Sequence, residues 1–343
     1  MKKHCLFLWL LFVFVFPFKA IAGANLMEVY HQALLNDQIF QQAISQRLYT
    51  KEGVPISLSN LLPALGAVVT PSLLKTNVSG RTNFTGSNDV RGYTVNLTLN
   101  QTLVNFSQFY NLSQALSFSK QADAILNAAV QSLMLRVASA YFAVLQDEDN
   151  LRYIGANKKA FAQQLDQVRQ QFNVGLKTIT DVYTAEASYD SSSAAYITAQ
   201  TTLANDKENL RVITGVYYPS LYKLSEKFPL VKPQPANSDL WVATAQKQNW
   251  NIKAAQYAAN AARENIKQQF GGHIPNLQVQ GVYNIGYNRT VADQPSTTVI
   301  PVNGASHTTA YGANLILNVP LVQGGLVLAN TCLLYTSPSP RDS

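Results

Sequence analysis

Charge is scarce in this chain. Asp, Glu, Lys and Arg make up 13% of its 343 residues, against about 25% in ordinary soluble domains. Cysteine is scarcer still: Cys5 sits in an apolar N-terminal run and Cys332 near the other end. No disulfide framework, thiolate site or cysteine-ligated zinc is expected from two such residues. The histidines His4, His31, His273 and His307 are scattered, with no partner cysteine or paired carboxylate at metal-ligand spacing. No Gly-rich phosphate loop or nucleophile elbow occurs, and the pairs Gly271 with Gly272 and Gly324 with Gly325 stand isolated at element junctions. The expectation is therefore a protein without catalytic residues, cofactor or metal, and not an enzyme. Asn, Gln, Ser and Thr are abundant instead, the uncharged polarity that a water-lined wall uses.

The N-terminus reads as a targeting segment. Lys2 and Lys3 precede an apolar run from Cys5 to Phe16, and Ala20, Ile21 and Ala22 give the small-x-small pattern of a signal peptidase site. Residues 1–22 are thus expected to be a signal peptide. The run is short for a permanent span, which needs about 20 residues, and Cys5 is misplaced for a lipid anchor. Taking Lys2, Lys3 and Lys19 from the formal charge of +7 leaves about +4, which gives no basic footprint for nucleic acid. At the other end, TCLLYTSPSPRDS abandons the preceding pattern and resembles translated sequencing-adaptor read-through. Residues 332–343 are expected to be an artefactual tail, and the chain a fragment.

From Phe106 to Phe172 there is no proline and no glycine except Gly155. These 67 residues could form a helical rod of roughly 100 Å. Leu126, Val130, Leu133, Val137, Tyr141 and Val144 recur at helical spacing, and the stripe resumes at Phe161, Leu165, Val168 and Phe172. After Gly175, a second stripe of Val182, Ala185, Tyr189, Ser192, Tyr196, Ala199, Leu203, Asp206, Leu210 and Ile213 alternates threes and fours, the rhythm of a coiled coil. The stretch 106–221 reads as one long antiparallel hairpin. Its tip is FNVGLKTITDV, where Gly175 ends the first helix and Thr180 and Asp181 cap the second.

Four segments alternate in the other period. Val95, Leu97 and Leu99 oppose Thr94, Asn96, Thr98 and Asn100. Leu277, Val279, Tyr283, Ile285 and Tyr287 oppose Gln278, Gln280, Asn284 and Asn288. Strands are expected at about 62–73, 93–103, 277–287 and 311–321, separated in pairs by the polar loops 76–90 and 289–309. Shifting the chain by 218 positions lays Tyr93, Asn96, Leu97, Leu99, Asn100, Leu103 and Val104 on identical residues from Tyr311 to Val322. NDQI at Asn36 likewise answers NWNI at Asn249. The unit of helix, strand, loop, strand and hairpin is used twice. The first repeat covers 23–237, opening on a helix from Asn25 to about Thr50 that Gly53, Pro55 and Pro63 bring to an end. The second covers 238–331, with a helix over 238–270, and stops before its own hairpin.

Strands of about ten residues with one apolar and one wet face suit an outer-membrane barrel, although a sheet packed on a core shows the same alternation. Four strands cannot close a barrel, since small ones need about eight, and open edges are not tolerated in lipid. Copies must therefore associate. Sequence arithmetic permits a trimer and leaves a dimer open.

FNVGLKTITDV, with LMLRVASAYFAVLQDEDNLRY before it and LRVITGVYYPSL after it, resembles the first long hairpin of the TolC family of outer-membrane efflux ducts, and the likeness extends from about Asn25 to Asn330. What the resemblance implies is an α+β membrane protein. Coiled-coil hairpins would build a periplasmic α-barrel, and four strands per chain a shared twelve-stranded barrel in the bacterial outer membrane. It implies a homotrimer, outer-membrane lipid, a periplasmic adaptor, an inner-membrane pump or ABC exporter, and passive export of small molecules or proteins. By matching motif, Asn173, Val174, Gly175, Leu176, Thr180, Asp181 and Val182 would form the adaptor-docking and gating tip. Asp181 could equally be a helix cap alone, and Gly175 a helix stop alone. Asn96, Asn100, Gln278, Gln280, Asn284 and Asn318 would line the channel, with the tyrosines as interfacial anchors. Arg136, Lys158, Lys159 and Arg169 are expected on a solvated helix face. A general porin and a coiled-coil envelope scaffold are the other readings.

Overall fold

The computed structural model describes residues 23–78, 86–224, 232, 234–292 and 304–336. The expected signal peptide and residues 337–343 of the expected tail lie outside them. Helices α1 (Leu26–Asn36), α2 (Gln38–Lys51) and α3 (Gly53–Ser59) lead into strands β1 (Ala64–Val78) and β2 (Gly86–Val104). Helices α4 (Phe106–Asn173) and α5 (Ile179–Thr214) follow, then α6 (Ser238–Gln248), α7 (Trp250–Phe270), β3 (Asn276–Ala292), β4 (Gly304–Asn318) and α8 (Leu326–Thr336). They sort into two compact units, residues 1–42 with 129–234, and residues 43–128 with 235–343.

In the first unit, the seam of the α4–α5 hairpin follows the two apolar stripes. Leu133, Val137, Tyr141, Val144 and Leu165 are buried from one helix, and Val182, Ala185, Ser192, Ala199 and Leu210 from the other. Small residues recur on the α5 side because two helices packed at coiled-coil distance leave little room. The seam also holds an acidic contact. Burial, and then the neighbouring Asp206, push the pKa of the Asp147 carboxyl up. Next to it, Lys207 pairs with Glu148 at 3.0 Å. Val29 and Ala33 of α1 are fully buried in this unit. The Tyr141 hydroxyl shares its proton between the carbonyls of Tyr222 (2.7 Å) and Ala24 (3.2 Å), tying the segment before α1 to the segment after α5.

The expected helix 25–50 is two helices. Asp37, at ψ 116°, leaves the helical region, and its Oδ1 accepts from Phe40 N–H at 2.7 Å. The helix then runs past Gly53 and Pro55 as α3, since proline is tolerated in a first turn whose N–H groups have no helical partner. The helix 238–270 is likewise broken at Asn249 (ψ 122°), whose side chain accepts from Asn251 N–H and Ile252 N–H. This corrects the register of the repeat. The breaks at Asp37 and Asn249, the N-caps Asn25 and Asn237, and the starts of β1 and β3 all stand 212 residues apart, so NDQI and NWNI align one position out. From β2 to β4 the offset is 218, and the difference is taken up between the paired strands.

In the second unit, the strands form one antiparallel sheet in the order β1-β2-β3-β4. They have 15, 19, 17 and 15 residues, longer than the expected ten, and extend into what the sequence presents as polar loops. Strand β4 ends at Asn318, before Pro320, whose missing N–H cannot join a ladder. A bulge at Thr102/Val104 interrupts β2 where it bends toward α4. Gly92 is required by close approach: a Cβ there would lie 2.2 Å from Asn288 Oδ1 and from the Tyr287 carbonyl. In the same unit, Asp123 of α4 accepts from Arg47 and pairs with Lys51 at 3.0 Å. The boundary placed at 331 falls inside α8.

Candidate functional site

The hairpin tip is built by two helix-end devices. At the end of α4, Leu176 N–H donates to the Gln171 carbonyl (2.8 Å) and Gly175 N–H to that of Phe172 (2.9 Å). This pair of bonds is a Schellman closure around a left-handed residue. Gly175 supplies it at φ 80°. Nothing lies within 4 Å of the Cβ a larger residue would add, so the position is constrained by backbone conformation and not by crowding.

At the start of α5 the expected cap is displaced. Thr178 is the N-cap, and Asp181 is the third helical residue of a reciprocal capping box. Asp181 N–H donates to Thr178 Oγ1 (3.3 Å), and its carboxylate accepts from Thr178 N–H (2.9 Å) and Oγ1 (2.9 Å). These hydrogen bonds, the backbone one foremost, hold the Asp181 carboxyl below its usual pKa. Thr180 does not cap; its carbonyl accepts from Thr184 Oγ1 at 2.8 Å. Thr178 was legible as T-x-x-D just before the periodic stripe, a spacing outweighed by the more obvious Thr180–Asp181 pair.

The rest of the tip presents apolar surface. Val174 is 70% exposed and Leu176 is 76% exposed, whereas Val182 turns into the seam and is buried. Along the hairpin behind it runs a groove of about 760 Å³, floored by small residues such as Ala187, Ser188, Ser191 and Ala195 and walled by Phe161 and Tyr183. Of the four basic residues expected on a solvated face, Lys159 and Arg169 are exposed and Arg136 and Lys158 half-buried, and three of the four have partners. Arg136 makes two bonds to Asp37 (2.9 and 2.8 Å), Arg169 pairs with Glu186 across the hairpin at 3.0 Å, and Lys158 lies 5.1 Å from the Tyr196 ring centre.

The second candidate surface is the polar side of the sheet. Its register opposes Asn96 to Asn284, Asn100 to Gln280, Gln278 to Thr102 and Asn318 to Asn276. All six residues expected to line a channel therefore share one face, and Gln280 Nε2 donates to Asn100 Oδ1 across the ladder at 3.0 Å. The opposite face is apolar. Its side chains are uncovered: Tyr93 is 44% exposed, Leu315 is 67% and Tyr311 is 82%. Among the described residues no His, Cys, Asp and Glu cluster could hold a metal ion.

A profile of the outer membrane efflux protein family matches residues 29–216. The chain is 34% identical over 306 residues to the outer membrane protein TolC of Vibrio cholerae, covering 89% of this chain and 67% of the relative. With TolC of Escherichia coli it shares 35% identity over 316 residues, 88% of this chain and 60% of the relative. The alkaline protease secretion protein AprF of Pseudomonas aeruginosa is 26% identical over 337 residues, 96% of this chain and 68% of the relative. Thus the chain spans about two thirds of the length of the relatives it matches. Among solved structures, the Campylobacter jejuni CmeC outer membrane channel superposes with a TM-score of 0.70 at 17% identity, covering 90% of this chain and 64% of that one. That likeness carries the fold: long helices with a four-stranded antiparallel sheet.

Proposed function

The chain belongs to the outer membrane efflux protein family, and we propose that it is the subunit of a passive exit duct whose strands join those of neighbouring copies into one outer-membrane barrel. The observation that carries this reading is the uncovered, two-faced sheet. Among the described residues strands β1 and β4 have unpaired outer edges, and an exposed flat edge in water is an aggregation site. The apolar face needs lipid or protein against it, and the polar face needs water. Both needs are met, and both edges satisfied, when copies close a ring. Three copies of four strands make twelve, the count favoured here over a dimer's eight because a wet lumen requires more strands than a barrel filled by its own side chains. Helix α4 adds support. It contains a long apolar stretch that is mostly exposed, and Leu135 (70% exposed) and Met134 (47%) lie outside the hairpin seam. Neighbouring hairpins in a periplasmic helical tunnel would cover that surface.

Energy for export would come from an inner-membrane pump or ABC exporter, reached through a periplasmic adaptor that docks at the tip. Val174 and Leu176 would be the docking contacts, with Gly175 and Asn173 shaping the turn and Thr180, Asp181 and Val182 opening α5. Asp181 is engaged with Thr178, so a gating role would require it to reach a neighbour with the carboxylate oxygen outside the capping box. The likeness to AprF favours protein secretion as a second cargo beside efflux of small molecules. No chemistry is assigned to the chain.

Planar-bilayer recording with added adaptor and pump tests the proposal. A duct gives conductance from the assembled chain. A scaffold gives none, and a monomer that conducts alone identifies a porin. Val174→Asp with Leu176→Asp should weaken adaptor binding while leaving the conductance intact.

A further inference from the structure

The apolar side of the sheet becomes charged toward the ends of the strands. Reading outward along the central strands, this face carries Leu99 against Gly281, Leu97 against Tyr283, and Val95 against Ile285. The next rung is aromatic: Tyr93, Tyr287 and His307 sit side by side at tilted angles with ring centres 5.7 and 4.8 Å apart. One rung further, Arg91 stands directly opposite Arg289, and both are exposed. Like charges facing each other across a ladder are destabilising. No ion pair is made by either among the described residues; the acidic residue on this face, Asp89, lies one rung beyond and pairs with Lys75 at 3.9 Å. Two residues of strand rise put the arginines about 7 Å outside the aromatic row. Aromatic rows of this kind mark the boundary between hydrocarbon and headgroups.

We infer that Arg91 and Arg289 form a binding site for the phosphate headgroup of an outer-leaflet lipid. The inference rests on the barrel reading, which turns this face toward lipid. Guanidinium groups match phosphate oxygens in paired hydrogen bonds, and an anion placed between them removes their mutual repulsion. The site lies on β2 and β3, the two inner strands, so a copy pairing at the β1 or β4 edge leaves it open. Further along the same face of the sheet, Gly281 and Ala313 leave a cavity of about 670 Å³ bordered by Leu65, Leu97, Leu99 and Tyr311, apolar space that an acyl chain can fill.

The test uses the full chain recovered from outer membranes in mild detergent, with native mass spectrometry reading the binding of bisphosphorylated lipid A, the same glycolipid without phosphates, and inorganic phosphate. The phosphorylated form should bind at least about tenfold more tightly than the dephosphorylated one. Arg91→Gln with Arg289→Gln should abolish that preference, Arg91→Lys with Arg289→Lys should keep part of it, and Arg152→Gln, on an exposed part of α4, should change nothing. Where the double glutamine variant fails to reach the membrane, each single glutamine change should give an intermediate loss. A preference that survives in the glutamine variants overturns the site. Displacement of the glycolipid by equimolar inorganic phosphate overturns the lipid assignment in favour of a free-anion site. If the barrel reading is what fails, the wild-type chain is absent from outer membranes altogether, a result distinct from either.

Discussion

Asp37 shows how one side chain can fix a helix break, an ion pair and a pH response together. It is 3% exposed, its Oδ1 caps α2, and Arg136 bonds both of its oxygens. Burial alone would raise its pKa, but the hydrogen bonds from Arg136 and Phe40 outweigh burial and hold it below the usual carboxylate value. A carboxyl with a lowered folded pKa contributes stability above its unfolded value and loses that contribution as pH falls through the folded one. Asp37→Ala should cost about 2–3 kcal/mol, less than a fully enclosed pair, because the Arg136 side chain keeps 30% of its exposure. Chemical denaturation checks the value, and the cost should shrink in acid. Asp147 has the opposite sign. Its pKa is raised by burial and then by Asp206, so the folded state releases its proton at a higher pH than the unfolded chain does, and stability falls as pH rises from the unfolded value toward the folded one. Asp147→Asn should therefore raise the melting temperature at neutral pH and not in acid, in thermal melts at both; a gain that persists in acid would show that charge is not the cause.

At the scale of elements, the hairpin was the most legible feature. Long proline-free stripes leave a helix little alternative, and every seam position of α5 from Val182 to Ile213 turns inward at least partly. Element breaks were harder to read, because they depend on side chains bonding locally to backbone. Asp37 and Asn249 stop a helix without glycine or proline, and Thr178 caps α5 from a position masked by Thr180 and Asp181. Strand faces were legible from alternation alone, since pairing preserves the two-residue period across the sheet. Strand lengths were not, as the residues near the loops are polar on both faces. The tip separates cap from bystander: Thr178→Ala should cost about 1 kcal/mol and speed amide exchange in the first turn of α5, whereas Thr180→Ala should leave both nearly unchanged. Partners were the least legible property of single charges, since Arg136 and Asp37 are 99 positions apart, beyond any local period.

At the scale of the whole molecule, the proposed duct depends on what the sheet of one chain leaves unmet. Among the described residues its edges are open and its apolar face is bare, and the same helix, strand, loop, strand unit is used twice to supply four strands from one chain. Cross-linking between the two edges tests this most directly. In a chain carrying Cys332→Ser, Ala67→Cys places a thiol in mid-β1 and Ala313→Cys one in mid-β4. Within one chain, three strand spacings of about 4.8 Å each keep the two too far apart for a disulfide. Treatment with short thiol-alkylating cross-linkers in outer membranes should give covalent dimers and trimers from the doubly substituted chain and none larger. Monomers alone, under conditions where the protein is present in the membrane, would contradict a barrel sealed by neighbouring copies.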